Sequence, residues 1–343
     1  MKVGILGTGA IANKHAQAYR NIGFEIVACS NKTEARGIEF ANRWGAKFVP
    51  DYEELCRYPG LDYIDVCAFP DFHLQPVRVC AQIGRPILVQ KPVATNLDDA
   101  RQMLELTRAA GITFGVVSQH RFDDSTIFLK RALAGGRLGK VLQADAYVKW
   151  FRSDEYYSRP IKGSWQTEGG GALINQAIHQ IDILMYLMGP VSSVFGMWQI
   201  AARHKIQSED VVNALLAYQS GATGVIQAST AFWPGYTERI EIHGTKGTAI
   251  ISGDRLTAWD VDDQEINQLD LAPVASNVAS GSSDPMAISL TSFERQFEDF
   301  GQAVRLKRHP LVDGEEGYRA LAIVLGIYQS CRENKQVHLS SDM

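Results

Sequence analysis

The stretch that decides the fold is "VGILGTGAIA", residues 3–12. An apolar, strand-like run leads directly into the pattern G-x-G-x-x-A, which ends at Ala12. In this pattern the first glycine permits a tight turn, the second lets the backbone approach a pyrophosphate, and the small last residue lets the helix lie close to the strand. The N–H groups that open the helix then face the anion. The motif predicts dinucleotide binding, with a purely structural glycine turn as the alternative; its residues are Gly7, Thr8, Gly9, Ala10 and Ile11.

Short apolar runs alternate with helical patterns through the first 122 residues. The strand candidates are Val3–Leu6, Phe24–Cys29, Tyr63–Ala68, Ile87–Val89 and Thr113–Ser118. A helix is expected from Thr95 to Ala110, closed by Gly111. Strands separated by helices indicate βαβ units. Residues 1–122 are therefore predicted to form an α/β Rossmann domain with a doubly wound parallel sheet.

The pattern changes after residue 123. "VLQADAYVKW", residues 141–150, alternates with period two, which places Leu142 and Ala144 on one face and Gln143 and Asp145 on the other. Further strand-like runs lie near 193–203, 210–218, 223–231 and 238–243, and Gly244 to Gly247 read as a hairpin turn. Two helices close the chain, the first with an apolar stripe of Phe293, Phe297, Phe300 and Val304. Residues 123–343 are predicted to form an α+β domain for substrate binding and oligomerisation, with a large, mostly antiparallel open sheet and a surface loop over 272–287.

Composition narrows the class of protein. A chain of 343 residues exceeds what one core usually supports, so two domains are expected. A net charge of −4 argues against a nucleic-acid partner. The five cysteines form no C-x-x-C pair, so we expect reduced thiols and no metal site. No signal peptide and no apolar run of about 18 residues is evident, so a cytoplasmic protein without a membrane partner is predicted.

The end of the second strand bears on cofactor choice. An acidic residue about 20 positions after the glycine motif would select NAD. Ser30, Asn31 and Lys32 occupy that region, so nothing there repels a 2′-phosphate, and Lys32 could attract one. The alternative is that Lys32 is an ordinary surface lysine. NAD or NADP is expected, with a lean to NADP.

Two segments follow the next strands. In "AFPDFH", residues 68–73, Pro70 makes the loop rigid, and His73 either contacts the cofactor or caps the next helix. In "LVQKPVAT", residues 88–95, Lys91 comes directly after a strand and before Pro92. A lysine at a strand end is often only a solvated charge. Beside a nicotinamide it could instead hydrogen-bond a substrate hydroxyl and stabilise developing negative charge.

The stretch "GGGALINQAIHQIDIL", residues 169–184, carries three polar residues at helical spacing: Asn175, His179 and Asp182. On an α-helix they would share one face. Imidazole, with an ordinary pKa of about 6.5, suits proton transfer at neutral pH. The alternative is a hydrogen-bonded core histidine. We expect Asn175 to orient a partner and Asp182 to position His179 or the helix.

A polar and aromatic segment precedes that helix. Residues 149–171 offer donors and stacking surfaces for a polyol, or aromatics that simply pack locally. The candidates are Arg152, Tyr156, Tyr157, Arg159, Lys162 and Trp165, followed later in the chain by Trp233 and Tyr236.

The segments "GILGTGAIA", "FPDFH", "QKP", "QHRF" and "GGGALINQAIHQID" resemble, in order and spacing, those of the Gfo/Idh/MocA oxidoreductases. The resemblance implies that Lys91 and His179 flank the reacting carbon, that Trp165 lies by the nicotinamide, and that the second sheet forms a homodimer or homotetramer. It also implies cofactor contacts by Phe69, Pro70, His73, Gln90, Lys91, Pro92 and Gln119. Two residues depart from the pattern, because Gln90 replaces a usual Glu and Asn175 a usual Asp.

These observations predict an NAD(P)-dependent oxidoreductase that oxidises a secondary hydroxyl of a sugar, sugar derivative or cyclitol, or reduces the ketone. Lys91 and His179 are predicted to carry out the proton chemistry. The predicted substrate contacts are Arg152, Tyr156, Tyr157, Trp165 and Asn175. Two alternatives stay open: a redox-cycling NAD-dependent glycosidase or lyase, and a non-enzymatic NAD(P)-sensing protein.

Overall fold

The computed structural model describes residues 1–159, 161–201, 206–262 and 289–339. The predicted loop 272–287 lies outside these residues, as do positions 202 and 203 of a predicted strand. The helices are α1 (Ala10–Asn21), α2 (Glu34–Trp44), α3 (Tyr52–Arg57), α4 (Leu74–Ile83), α5 (Leu97–Ala110), α6 (Asp124–Ala134), α7 (Asp154–Tyr157), α8 (Ile178–Met188), α9 (Thr291–Leu306) and α10 (Gly314–Glu333). The strands are β1 (Lys2–Leu6), β2 (Glu25–Ser30), β3 (Lys47–Phe48), β4 (Tyr63–Val66), β5 (Ile87–Val89), β6 (Phe114–Val116), β7 (Val141–Lys149), β8 (Val191–Gln199), β9 (Val211–Tyr218), β10 (Thr223–Ser229), β11 (Arg239–Gly244), β12 (Gly247–Ser252), β13 (Arg255–Val261) and β14 (Val337–His338).

The first sheet has six strands in the order β3-β2-β1-β4-β5-β6, and all its pairs are parallel. This is the 3-2-1-4-5-6 order of a doubly wound dinucleotide-binding sheet. It confirms the predicted Rossmann fold. The strands read as near-continuous apolar runs because both sheet faces are covered, and β4 and β5 are buried at every position.

Helix ends in this part of the chain follow local chemistry. Asn96 caps α5 by accepting the N–H of Asp99 at 2.8 Å, and Gly111 closes that helix with a φ of 63°. The predicted helix therefore begins two residues later than Thr95 and ends where expected. The aromatic stripe of α9 is buried as predicted at Phe293, Phe297 and Phe300.

The second sheet has eight strands in the order β13-β12-β11-β7-β10-β9-β8-β14. Only β7 and β10 pair in parallel among its described strands, and the predicted turn at Gly244 to Gly247 joins β11 to β12. The prediction of a large, mostly antiparallel sheet is confirmed. β13, β3 and β14 were not predicted; β3 and β14 have two residues each, too few to show a periodicity.

Strand β7 departs from its predicted alternation at two positions. Ala144, Ala146 and Val148 are buried, but Leu142 near the strand start is 51% exposed. Asp145, expected on the wetter face, is 2% exposed and accepts hydrogen bonds from the Val225 N–H and from neighbouring side chains. A buried carboxylate is tolerated there because donors surround it.

The described chain divides into two compact units. The first comprises Met1–Gln119, Gln166–Gly169 and Leu290–Leu321, and the second His120–Trp165, Gly170–Ser289 and Ala322–Met343. This division differs from a single boundary at residue 122, because Leu290–Leu321 belongs to the first unit. Within that unit Gln296 of α9 bonds the backbone of Val116 and Ser118 beside β6, which a local pattern cannot reveal.

Candidate active site

The glycine turn after β1 fits a dinucleotide. Gly7 has a φ of 87°, and a Cβ there would lie 2.8 Å from the backbone of Cys67, so only glycine fits. A Cβ on Gly9 would meet no atom of the described chain within 4 Å. That open space lies at the N-terminus of α1, where Ala10 is exposed. Packing does not require a glycine at position 9, whereas close approach of a pyrophosphate does.

Thr8 supports the same interpretation. Its side chain is 7% exposed, and its Oγ1 is buried without a hydrogen-bond partner among the described residues. Such a hydroxyl normally has a partner, so a group beyond the described chain is expected to supply one. The first turn of α1 also contains no acidic residue that would repel a phosphate.

The residues after β2 meet this turn. Ser30 is buried, Asn31 is half-buried and Lys32 is exposed. Asn31 Oδ1 accepts the backbone N–H of Thr8 at 3.2 Å, and its Nδ2 donates to the Thr33 carbonyl at 2.9 Å. Asn31 therefore ties the glycine turn to the end of β2, a role that the sequence did not reveal. Lys32 extends into solvent where an acid would select NAD.

His73 stands at the N-cap position of α4, and its ring lies between two loop segments. It is fully buried, with Nδ1 3.0 Å from the Val93 carbonyl and Nε2 3.1 Å from the Ala68 carbonyl. Its side chain makes no capping bond to α4. Burial lowers its pKa against the opposing effect of the two carbonyls, and the neutral ring has one N–H, with which it donates to one of them. Phe69, in the same loop, is 47% exposed.

Four predicted cofactor residues follow the strands on the other side of β1. Pro70 follows β4, Gln90 and Lys91 follow β5, and Gln119 follows β6. Leu6 is in register with Val66, Val66 with Val89 and Val89 with Val116, so these strand ends lie along one edge of the sheet with Gly7. Ligands of open parallel sheets bind at this carboxyl edge. Gln119 Oε1, like the Thr8 hydroxyl, is buried without a partner among the described residues.

Lys91 itself is half-buried at this edge, and Pro92 after it is buried. Its backbone N–H donates to Gln90 Oε1 at 3.2 Å. Gln90, which replaces the usual Glu of the family resemblance, therefore accepts a hydrogen bond from the backbone of Lys91, the predicted catalytic lysine.

In the second unit, the helix over the glycine-led stretch is not one regular α-helix. Leu173–Ala177 form a π-helical turn, and α8 starts at Ile178. Asn175 lies in that turn and His179 in α8, so the assumption of regular α-helical spacing between them is corrected. Single π-helical turns are frequent at functional sites. His179 is 9% exposed and Asn175 is half-buried.

Asp182 braces α8 through an ion pair. Its two carboxylate oxygens accept Arg121 Nε at 2.8 Å and Nη2 at 2.6 Å, and both side chains are almost fully buried. The guanidinium also lies over the Tyr186 ring. Asp182 therefore positions the helix, as one of its two predicted roles stated. Arg121, from the quoted segment "QHRF", was not singled out in the sequence.

The neighbouring His120 contacts the predicted base. Its ring packs edge-on against that of His179 at 5.1 Å, and its Nδ1 lies 2.8 Å from Asp123 Oδ2. Arg121 holds helix α8 through its ion pair with Asp182, and His120 packs against the His179 ring. Two neighbouring residues therefore fix the position of His179, one through its helix and one through its side chain.

Glu209 explains the last of the three glycines, Gly171, before the π-helical turn. Its carboxylate accepts the N–H groups of Gly171 and Leu173 at 2.8 Å each, and the Tyr328 hydroxyl at 2.9 Å. A Cβ on Gly171 would lie 1.8 Å from the Glu209 carbonyl oxygen. Glu209 and Tyr328, both missed in the sequence, therefore cap the helix that carries Asn175 and His179.

Protonation of Glu209 is expected to change stability near neutral pH. Burial raises its pKa to about 7, against the opposing effect of its hydrogen-bond donors. Because a raised acid pKa penalises the ionised native state, the free energy of unfolding falls as pH rises from about 4.5 to about 7, by up to ~3 kcal/mol. Urea unfolding across this range should show that loss in the wild type. Glu209→Gln, which cannot ionise, should lack it, and parallel pH profiles would contradict the assignment.

Two predicted substrate residues reach the π-helical turn through Gln176. Buried Arg152 donates from Nη2 to Gln176 Oε1 at 3.2 Å, and Gln176 Nε2 donates to the Tyr156 hydroxyl at 3.1 Å. Tyr157 instead bonds the Thr230 hydroxyl at 2.7 Å. Burial lowers the Arg152 pKa. The structure thus links Arg152 and Tyr156 to Gln176, the residue after Asn175, and gives Tyr157 a separate partner.

Trp165 packs in an aromatic cluster. Its ring lies 4.9 Å from Trp198 and 5.0 Å from Tyr328, with the Arg332 guanidinium over it, and its Nε1 donates to the Gln207 carbonyl. These contacts favour the local-packing alternative for Trp165. Of the other candidates, Lys162 lies over the Tyr156 ring, Arg159 is exposed, and Trp233 and Tyr236 are 69% and 65% exposed.

Comparison with known proteins decides the family. Residues 1–118 match the model "Oxidoreductase family, NAD-binding Rossmann fold", and residues 127–250 match "GFO/IDH/MocA C-terminal domain". The chain belongs to the Gfo/Idh/MocA oxidoreductase family. Membership agrees with the fold, because the two models cover the parallel sheet and most of the antiparallel one. The predicted family is confirmed.

Similar members of the family are dehydrogenases and reductases. Myo-inositol 2-dehydrogenase of Thermotoga maritima is 28% identical over 99% of this chain and 98% of its own. The 1,5-anhydro-D-fructose reductase of Ensifer adhaerens is 26% identical over 99% of both chains. The WlbA dehydrogenase of Bordetella pertussis, solved with NADH and UDP-GlcNAcA, superimposes with a TM-score of 0.88 at 27% identity, covering 99% of this chain and 98% of that one. These family members confirm the predicted reaction class, oxidoreduction of CH–OH groups, and NAD(H) binding.

Within the described ranges, no helix of this family member combines the length and the apolar character that crossing a bilayer requires.

Proposed function

We propose that the protein is an NAD-dependent dehydrogenase that oxidises a secondary hydroxyl of a sugar, sugar derivative or cyclitol. One observation carries the proposal. Lys91 follows β5 at the carboxyl edge of the first sheet. The glycine turn after β1, with its open space at Gly9, lies at the same edge. A lysine amine at the nucleotide edge can donate a hydrogen bond to an alkoxide-like transition state.

The chemistry divides between the cofactor and the chain. When bound, the nicotinamide would supply the acceptor for the hydride of the carbinol carbon. Lys91 donates a hydrogen bond to the substrate oxygen and stabilises its developing negative charge. His179 accepts the hydroxyl proton, its helix held by the Arg121–Asp182 pair. Asn175 orients the hydroxyl, because an amide cannot serve as a general base.

The proposed substrate carries several hydroxyls. Myo-inositol and 1,5-anhydro-D-fructose, named for two relatives, are polyols, and UDP-GlcNAcA, held by the third, is a nucleotide sugar acid. We propose that the second unit binds the substrate through Asn175, Tyr156 and neighbouring polar groups. Arg152 supports this surface by holding Gln176.

NADP is a second proposed cofactor. Ser30, Asn31 and Lys32 present no carboxylate where one would repel a 2′-phosphate, and Lys32 is exposed. The side-chain oxygen of Asn31 already accepts a hydrogen bond from Thr8 in the glycine turn. Lys32 is therefore the residue proposed to favour NADP.

The test is a panel of cyclitols, free sugars, sugar acids and nucleotide sugars with NAD⁺ and with NADP⁺. Reduced nicotinamide should accumulate with at least one member, and Lys32→Glu should shift the cofactor ratio towards NAD. Product formed on retained cofactor without net reduction would instead indicate redox-cycling glycosidase or lyase chemistry. Absence of reaction throughout the panel, together with unchanged behaviour of His179→Gln, would contradict the dehydrogenase.

We further propose that the open face of the second sheet pairs with another copy of the chain. Phe195, Leu215 and Val225 lie in neighbouring strands, with Phe195 opposite Leu215 and Leu215 opposite Val225. Leu215 is 58% exposed and Met197 is 67% exposed. Exposed apolar strand residues of this kind mark interfaces. Sedimentation equilibrium should show a dimer or tetramer that Leu215→Glu dissociates, and a wild-type monomer would exclude it.

The cytoplasm is the proposed compartment. All five cysteines lie in described ranges as thiols, four of them buried. Thiols of this kind persist in a reducing environment.

A further inference from the structure

A series of hydrogen-bonded, buried polar side chains runs from the interior of the first unit to the backbone of Lys91. Asp65 lies in β4, and His15 and Tyr19 lie on α1; all three are fully buried. His15 Nδ1 lies 2.7 Å from Asp65 Oδ2, and the Tyr19 hydroxyl donates to the same oxygen at 2.9 Å. The two contacts compensate the buried carboxylate.

Gln90 extends this series of hydrogen bonds to the edge of the sheet. Its Nε2 lies 2.7 Å from His15 Nε2, and its Oε1 lies 3.2 Å from the Lys91 backbone nitrogen. The Lys91 N–H is a donor and must meet an oxygen, so the amide can have only one orientation. The Gln90 NH₂ group therefore faces His15.

The state of His15 follows from that orientation. Because the Gln90 NH₂ donates to His15 Nε2, that nitrogen must carry a lone pair. The proton of the neutral ring then lies on Nδ1, where Asp65 accepts it. Each donor in the series meets an acceptor, and the direction of every hydrogen bond is set by the Lys91 N–H at one end and the Asp65 carboxylate at the other.

The same bonds argue against a metal. His15, Asp65 and Cys67 place their ligand atoms within 4.8 Å of one another. Both nitrogens of His15, however, already lie within hydrogen-bond distance of other side chains, Nδ1 of Asp65 and Nε2 of Gln90, so neither is left to bind an ion. The cluster is a hydrogen-bond network.

We propose that His15, through Gln90, is a positioning residue that holds the Lys91 backbone at the sheet edge, and that the glutamine amide keeps His15 in its neutral Nδ1–H form. A glutamate at position 90 would place a carboxylate oxygen against each nitrogen of the imidazole. A neutral ring has one N–H, so His15 would take up a second proton. The link to catalysis rests on the proposed function of Lys91, whereas the state of His15 does not.

Nitrogen-15 NMR of the histidine-labelled full chain tests the state of His15 without any activity measurement. The chain has eight histidines, and the His15 signal is the one absent from His15→Gln. At neutral pH the wild type should show a protonated Nδ1 and an unprotonated Nε2, and Gln90→Glu should show both nitrogens protonated. A protonated Nε2 in the wild type, or an unprotonated one in Gln90→Glu, would overturn the proposal.

A pair of His15 variants tests positioning. The amide of His15→Gln reaches the place of Nε2 and can still accept from Gln90, whereas that of His15→Asn reaches only the place of Nδ1. We expect kcat to fall roughly ten-fold in His15→Asn, as loss of about one hydrogen bond implies, and much less in His15→Gln, with little change in the Kd for NADH in either. Equal kcat in the two variants would overturn the positioning role. A wild type inactive on every substrate would instead remove the proposed function and leave the NMR result standing.

Discussion

Replacing His179 by glutamine is expected to lower kcat by roughly 10²–10⁴-fold on whichever sugar or cyclitol the wild type oxidises. Glutamine keeps a polar group of similar length but cannot accept the substrate proton at neutral pH. Since the change removes proton transfer and leaves the glycine turn untouched, the Kd for NADH should stay close to that of the wild type. Steady-state kinetics and fluorescence titration with NADH measure the two quantities.

The chain provides a matched control for this variant. His309 lies in the first unit with its side chain 92% exposed, so His309→Gln makes the same chemical change in solvent and should leave kcat unaltered. Activity of His179→Gln within a few-fold of the control would show that another group takes the proton. His120, whose ring contacts His179, would then be the next residue to replace.

Asp182→Asn is expected to lower the free energy of unfolding by about 3–5 kcal/mol. The guanidinium of Arg121 is 1% exposed, and without the carboxylate its charge stays buried with weaker compensation. The double variant Arg121→Met with Asp182→Leu should recover much of this loss, since replacing both partners removes the buried charge altogether. Urea unfolding followed by circular dichroism gives the values.

An exposed pair calibrates this measurement. Arg43 and Glu39 form an i,i+4 pair on α2 with side chains 56% and 68% exposed, so Glu39→Gln should cost less than about 1 kcal/mol. If Asp182→Asn cost no more than that, the ion pair would not brace α8, and the position of His179 would need another cause.

Much of the cofactor edge was predictable, because parallel strands force it. Once the runs ending near Leu6, Ser30, Val66, Val89 and Val116 are assigned as parallel strands, the residues after each must gather at one edge. Gly7, Asn31, Pro70, Lys91 and Gln119 follow from this rule. Their individual contacts with a cofactor remain predictions.

The support behind those residues was not predictable. Glu209 and Tyr328 cap a helix that starts at residue 173, and His15 reaches Gln90 across 75 positions of sequence. No local pattern marks such partners, because the contacts form only when distant segments pack. The π-helical turn is hidden for the same reason, since the sequence of Leu173–Ala177 is compatible with an ordinary α-helix.

The sequence by itself determined the two sheet types, the nucleotide-binding turn and the identity of the polar residues on the helix after the three glycines. These depend on periodicity and on residues with special backbone freedom, which are local properties. Tertiary structure decided which partner each polar group has: Arg121 for Asp182, the backbone of Lys91 for Gln90, and Glu209 for the N–H groups at Gly171 and Leu173. A buried polar group must find a partner wherever the chain brings one, and only the folded chain shows which one that is.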